Sequence, residues 1–332
     1  MDKAKATIRD VAKLADVSIA TVSNVLNHSQ YVSDGVSRRV LDAVQELNFN
    51  INHFARALKS NRSHTIGVIV PDIANPFYSK VIQSLEDSIN PMGYHIILAH
   101  SNNSQQQELE QIERMYSWNA EAIVLAPSSP TFDYSAMIQN FGCPIVFLDR
   151  QPAVEQCNGV FCTTRDVICG AVEEMLLSGH RRIACLLGPQ AFLVQQERKN
   201  GFADAYARQG VAMPPEMVLS GTATIANGYQ MMNHAMSVLG ATAVFVGNRM
   251  LTIGALQYLA SRQIRILDEI AIIGFAAYDW DKICNPPLTM VMEPLEELGV
   301  ATSDLLLSLL KDPHQPPRRV FLQAHLTART SY

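Results

Sequence analysis

Residues 7–27 read TIRDVAKLADVSIATVSNVLN. Ile8, Val11, Ala12 and Ala15 recur at helical spacing, and Thr7 precedes them as a candidate N-cap. Asp16 and Val17 interrupt the pattern. Ser18 then caps a second helix whose apolar face is Val22, Val25 and Leu26. Its outer face carries Ala20, Ser23, Asn24 and Asn27, with Thr21 at the edge and Ile19 in the first turn. Ser33 caps a third helix, in which Val36, Val40, Val44 and Leu47 repeat. Three short helices, the first two joined by a tight turn, describe a helix-turn-helix. Its second helix is expected in a DNA major groove with its N-terminal side chains at base edges. A small helical bundle for protein contacts has the same periodicity. The outer face of the second helix is short, polar and nearly free of acids, which favours DNA, because acids there would repel phosphate.

The charge distribution agrees. Residues 1–63 hold nine Lys/Arg against six Asp/Glu, a net +3, while the remainder is net −8. A mildly basic end on an acidic body suggests a polyanion contact confined to that end, though a solvated surface has the same asymmetry. With 332 residues, 48% hydrophobic and 17% charged, the chain is long enough for more than one core and is not a long disordered polymer. Its longest apolar runs fall well short of the ~20 residues of a membrane span, and MDKAKATIRD has no apolar signal core. A cytoplasmic protein without a membrane partner is expected. Six cysteines at 143, 157, 162, 169, 185 and 284 form no CxxC pair, so they read as buried thiols or loop filler, with no metal site.

TIRDVAKLADVSIATVSNVLN resembles the signature of the lactose/galactose repressor family of bacterial transcription regulators. The resemblance continues through SRRVLDAVQELNFNINHFARALKSNRSHTIGVIVPDIANPFYS and returns in IVFLDR, SGHRRIACLLGP, ERKNGF, IGAL, IIGF, NPPLT and ELG, nearly the whole chain. It implies that Ile19, Ala20 and Asn24 face bases, and that Thr7, Ser18, Thr21, Ser23, Asn27 and Tyr31 touch or position phosphates. Two departures matter. The usual turn glycine is Asp16 here, and Asp is among the few residues that tolerate a left-handed backbone. The usual recognition-helix arginine is Asn24. Arginine favours guanine and asparagine adenine, so a shifted operator sequence is expected.

Residues 52–60, NHFARALKS, are too few for a stable isolated helix in water. In the family this segment is a hinge helix that pairs across a dimer in the minor groove. The resemblance implies DNA contacts for Asn52, Ala55 and Leu58, with Leu58 wedged into the central base step. Arg56, Lys59 and Arg62 add charge nearby, and a plain basic linker is the alternative. The family's common proline before the hinge is Ile51 here, which removes a rigid start.

From Thr65 short apolar runs alternate with amphipathic stretches: TIGVIV, HIILA, AIVLA and PIVFLD, then RIACLL, AVFV and IAIIGF. This pattern marks parallel sheets covered on both faces. The expected fold class is α/β: an N-terminal all-α helix-turn-helix headpiece plus two doubly wound parallel-sheet lobes, with a ligand cleft between them at the strand carboxyl ends. The resemblance adds the periplasmic-binding-protein type, with the chain crossing between lobes. The expected division is a DNA-binding domain at 1–50 and a hinge at 51–63. The N-terminal lobe takes 64–164 and 296–322, and the C-terminal lobe 165–295 and 323–332.

No GxSxG, Walker loop, HExxH or GxGxxG is present, so neither an enzyme nor a cofactor is expected. The resemblance places polar effector contacts at Asp149, Arg198 and Asn248, with Phe77 at the cleft's lip. Three hallmarks are missing: a stacking aromatic is Ala223, the aspartate after the asparagine is Arg249, and the aspartate of GFD is Ala276. With two acids lost and a base gained, Arg249 joins the effector residues and an anionic ligand such as a sugar phosphate or sugar acid is expected. The alternative is that Arg249 pairs with Asp279 or Asp281 and the pocket has decayed. The reading is a repressor working as a homodimer on double-stranded operator DNA, controlled by a sugar or sugar derivative. A trailing leucine-heptad helix is absent, which favours a dimer over a tetramer. A metabolite sensor whose head contacts protein, and an enzyme on a doubly wound scaffold, are the alternatives of other classes.

Overall fold

The computed structural model describes residues 6–27, 31–47, 49, 63–140, 142–276 and 282–332. The chain divides into two compact units, Met1–Ser63 and His64–Tyr332.

In the first unit, α1 (Ile8–Leu14), α2 (Ile19–Asn27) and α3 (Asp34–Glu46) follow the expected pattern. Asp10 ties down the start of α1: one carboxylate oxygen accepts from the Thr7 amide at 2.8 Å and from its hydroxyl at 2.7 Å. These bonds hold the Asp10 carboxyl below its usual pKa. Asp16 makes the turn with φ +53°, in the left-handed region expected of it. The Ser18 hydroxyl accepts from the Thr21 amide at 3.0 Å, satisfying an N-terminal donor of α2. Ser33 stands at the N-cap position of α3, but its side chain makes no capping bond. Val11, Ala12, Ala15, Val22, Val25, Val40 and Ala43 close the core.

The second unit holds two six-stranded sheets. The strands of the first are β1 (Thr65–Val70), β2 (His95–His100), β3 (Ala122–Leu125), β4 (Ile145–Leu148), β5 (Asn158–Thr163) and β11 (Arg319–Gln323), in the order β11-β5-β4-β3-β1-β2. Every pair is parallel. The second joins β6 (Ile183–Leu187), β7 (Val218–Ser220), β8 (Ala243–Val246), β9 (Ala271–Ala276), β10 (Thr289–Met292) and β12 (His325–Thr327), in the order β12-β10-β9-β8-β6-β7. Here only the β10–β12 pair is antiparallel.

Both faces of the central strands are buried, which is why they read as unbroken apolar runs. Ile66, Val68 and Val70 enter one core of the first sheet and Ile69 the other. Ile183, Cys185 and Leu187 likewise face away from Ala184 and Leu186. β2, expected as one more covered strand, lies at a sheet edge with Leu98 46% exposed, because it has one neighbour. The cysteines are free; Cys157, Cys169 and Cys185 are buried, whereas Cys143, Cys162 and Cys284 are only partly so.

Helices α4 (Pro76–Ile89), α5 (Gln105–Ser117) and α6 (Ser135–Asn140) connect strands of the first sheet. α7 (Arg165–Leu177) leads from β5 to β6 of the second sheet, and α8 (Leu193–Arg208), α9 (Ile225–Ser237) and α10 (Arg249–Ser261) connect strands of the second. The chain crosses between sheets three times. Thr164 follows β5 into α7, Glu293 leads from β10 into α11 (Leu295–Lys311), and Ala324 separates β11 from β12. All three residues are buried, and α11 packs its leucines into a core of the first sheet. Near the end of the chain, the buried Ser331 hydroxyl donates to Ile272 O at 2.6 Å and accepts from the Thr289 amide at 2.8 Å.

Candidate DNA-reading face and effector cleft

The outward face of α2 begins with Ile19, 45% exposed, and the exposed Ala20, while Val22 and Val25 point into the head's core. Thr21, Ser23 and Asn24 are partly exposed, and the helix bears no charged side chain. Small apolar and amide groups at a helix start suit thymine methyls and adenine edges. Thr7 and Ser18 are exposed beside their caps, and Tyr31 is 94% exposed. Asn27 is the last residue of α2. Asn52, Ala55 and Leu58, with Arg56, Lys59 and Arg62, lie outside the described residues.

A cavity of about 60 Å³ opens between the two lobes, and Phe77, Asp149, Arg198, Asn248 and Arg249 all line it. Phe77 sits in the first turn of α4, where the Asn75 side chain accepts from its amide at 3.1 Å. Asp149 follows β4 with φ +64° and accepts from the Tyr78 hydroxyl at 2.8 Å. Burial, and then repulsion from Glu293, raise its carboxyl above the usual range. Arg150 donates to Pro127 O at 3.0 Å and to Asn103 Oδ1 at 2.9 Å. Its guanidinium also lies 4.3 Å from the centre of the Phe192 ring, across the cleft. Asn248 caps α10, accepting from the amides of Met250 at 2.9 Å and Leu251 at 3.3 Å.

The centre of the site is a buried triad. Arg198 donates to Glu293 Oε1 at 3.0 Å and to Gly247 O at 2.7 Å. Arg249 bonds the other oxygen of Glu293. The arginine side chains are 4% and 7% exposed, and that of Glu293 is 1% exposed. Burial opposes ionisation of Glu293, but the two guanidiniums, Arg249 above all, overcome it and hold the carboxyl below its usual pKa. Arg198 also stacks 4.3 Å from the Phe275 ring centre, and Arg249 lies 4.9 Å from that of Phe77. Among the described residues, Arg198 Nε has no hydrogen-bond partner.

The five residues expected in the pocket are thus brought together, and Ala223 also lines it. Arg198 is no surface ion pair. For Arg249, the alternative partners Asp279 and Asp281 lie outside the described residues, and Glu293 bonds its guanidinium. Sequence reasoning missed Glu293, Tyr78, Arg150 and Phe192. The signal for Glu293 was a single acid between the apolar run TMVM and Pro294. Among the described residues, no cluster of His, Cys, Asp or Glu could hold a metal, and no helix is long and apolar enough to cross a membrane.

A helix-turn-helix head with a two-lobed α/β body defines a class: a DNA-binding regulator with a small-molecule cleft. Comparison with known proteins gives the family. Residues 63–330 match the periplasmic binding proteins and sugar binding domain of the LacI family, and residues 7–52 match the bacterial regulatory proteins of the lacI family. The chain belongs to this family, as a DNA-binding transcription regulator with a sugar-binding effector domain. It is 29% identical over 330 residues to the ribose operon repressor of Escherichia coli K12, spanning 98% of this chain and 99% of that one. To the HTH-type transcriptional repressor CytR of the same strain it is 30% identical over 310 residues, 93% and 91% of the two chains. The solved complex of the regulator CelR with cellobiose matches with TM-score 0.74 and 26% identity, over 98% of this chain and 100% of that one. The lac repressor dimer bound to operator and the anti-inducer ONPF matches with TM-score 0.84 and 23% identity over 99% of both chains, a likeness of fold.

Proposed function

We propose that this chain is a cytoplasmic, non-enzymatic repressor. It binds a near-palindromic operator as a homodimer, and a sugar or sugar derivative in the cleft sets its operator affinity. Ile19, Ala20 and Asn24 read bases. Thr7, Ser18, Thr21, Ser23, Asn27 and Tyr31 position phosphates, and Asn52, Ala55 and Leu58 act in the minor groove. Phe77, Asp149, Arg198, Asn248 and Arg249 hold the effector. The head is residues 1–50 and the hinge 51–63. One lobe comprises 64–164 and 296–322, the other 165–295 and 323–332.

The observation that carries this reading is the face of α2: Ile19 and Ala20 stand exposed at its start while Val22 and Val25 are buried behind them. That arrangement offers one recognition helix per chain, so a two-fold dimer meets two half-sites about one helical turn apart. The repressors among the relatives and the cellobiose complex support a sugar-class effector and control by repression. An effector that prefers one arrangement of the lobes changes how the two copies of segment 51–63 are presented to DNA. It acts only through its different affinity for the two states.

The test is selection of genomic DNA fragments by the purified protein at about 0.15 M salt, where non-specific binding is weak. An inverted repeat is expected. Failure to recover any motif, both with and without an added metabolite extract, would overturn the reading.

A further inference from the structure

We infer that Glu108, which does not line the cleft, is a positioning residue for the contact between the lobes: through Ser128 and Pro127 it sets Arg150 where its guanidinium meets Phe192. Its use in control rests on reading the cleft as the effector site and deepens that reading.

Glu108 lies in the first turn of α5 and is fully buried. Its carboxylate is held by neutral donors: Oε2 accepts from the Ser128 amide at 2.5 Å and Oε1 from the Tyr134 hydroxyl at 2.5 Å. Burial raises its pKa, and these donors, with the charge of Arg150, offset that only in part. A buried acid is costly to keep, and what this one secures is a loop. Residues 126–134, between β3 and α6, form no strand or helix. Pro127 and Pro130 give that loop no amide to bond. Ser128 is pinned twice, by its amide on Glu108 and by its hydroxyl, which meets that of Ser101 at 2.5 Å.

Pinning Ser128 fixes the carbonyl just before it, that of Pro127, which accepts from Arg150 at 3.0 Å. The other acceptor of Arg150 hangs from the same helix. Asn103 Oδ1, at 2.9 Å, belongs to the residue before Ser104, whose side chain caps α5. One anchor thus reaches α5 through Glu108 and the other through the cap. Arginine has much rotamer freedom to lose. Acceptors fixed in advance hold Arg150 in the orientation that lays it 4.3 Å from the centre of the Phe192 ring, in the second lobe. Where the cleft takes an effector, the strength of that contact sets the balance between lobe arrangements on which the effector acts.

The experiment compares amide hydrogen exchange in four full-length proteins without ligand: wild type, Glu108→Gln, Phe192→Ala and the double variant. The amide nitrogen of a glutamine cannot accept, so one of the two donors loses its partner. The reporter is the Gly188 amide, which bonds Gln195 Oε1 at 2.9 Å in the second lobe, beyond the Arg150–Phe192 contact. Glu108→Gln is expected to speed exchange there roughly twofold to fivefold, as loss of a half-exposed cation–π contact implies. In the Phe192→Ala background it should add nothing, whereas sites that share no partner act additively. An acid with a merely structural role would loosen α5 and residues 126–134 and leave Gly188 unchanged. Tyr134→Phe is the matched control: it removes the other bond to the carboxylate, keeps the Ser128 amide in place, and should leave Gly188 at the wild-type rate. If the Gln variant is too unstable to isolate, Glu108→Asp, one methylene short of the loop, takes its place with the same expectation. No change at Gly188, an equal further rise in the Phe192→Ala background, or the same rise in Tyr134→Phe would overturn the proposal. Because the readout needs no ligand, those results leave the effector reading standing. A wild type whose operator binding no metabolite extract alters would defeat that reading alone.

Discussion

Arg150 of the first lobe lays its guanidinium over the ring of Phe192 in the second, 4.3 Å from the ring's centre. Arg249 of the second lobe does the reverse, reaching Phe77 of the first at 4.9 Å. Each lobe thus holds a face of the other. A contact of this kind is worth about 0.5–2 kcal/mol depending on desolvation. Phe192→Ala is expected to widen the cleft, read as faster amide hydrogen exchange around Asp149 and Gly188 with the rest of both sheets unchanged. Unaltered protection there would show that the ring does not hold the lobes together.

Glu293→Ala leaves two buried guanidiniums short of their shared carboxylate. Loss of one partner of a buried ion pair costs about 3–5 kcal/mol, so urea unfolding of the body should shift by that order. Glu293→Gln should cost less, since the amide oxygen still accepts one bond. The sign of the pH effect follows from the lowered folded pKa. The ionised form is favoured in the fold, so the stabilisation is fully present above the unfolded value, near 4.5, and is lost as pH falls through the lower folded value. The Gln variant should therefore show a shallower loss of stability on acidification than wild type.

Asp16 holds φ +53° between α1 and α2. Asparagine, aspartate and glycine accept that backbone; a β-branched residue does not, at a cost of about 1–2 kcal/mol. Asp16→Val should lower the melting temperature of the head and weaken operator binding, and Asp16→Gly should do neither. Circular dichroism melts paired with DNA titrations distinguish the two.

Asn24→Arg is expected to change which base is preferred at one position in each half-site, from adenine to guanine. A good bidentate contact discriminates by about 1–3 kcal/mol. Repeating the fragment selection with the variant would show the change as a single altered column, and an unchanged motif would remove Asn24 from base reading.

The α/β architecture was legible because its signals are local. β1 and β6 are buried on both faces, so their sequences TIGVIV and IACLL read as continuous apolar runs. The break at Asp16 was legible in the interrupted helical pattern, and its left-handed backbone followed from the resemblance, which places a glycine there, and from aspartate's tolerance of that backbone. Glu293 was not legible, because its meaning lies in partners 95 and 44 residues away. A lone acid after an apolar strand looks like the end of a strand at the surface. Only the crossing of the chain puts it beneath Arg198 and Arg249. Tyr78 was hidden in the same way: its hydroxyl acts through Asp149, 71 residues on, while its ring counts as ordinary core. The exposure of Leu98 on β2 was likewise invisible, since an edge strand and a central one carry the same apolar run.

The three passages of the chain between the sheets have a consequence for synthesis. Neither sheet is drawn from one unbroken stretch: β11 completes the first and β12 the second, and both come after residue 318. The stitch from Ser331 to Ile272 and Thr289 comes later still. While the ribosome is still making the body, each sheet lacks its last strand and the first also lacks the leucine face of α11. The head, complete by Ser63, is made long before the part that would govern it, so an interrupted translation product carries the DNA-reading helices without a finished body.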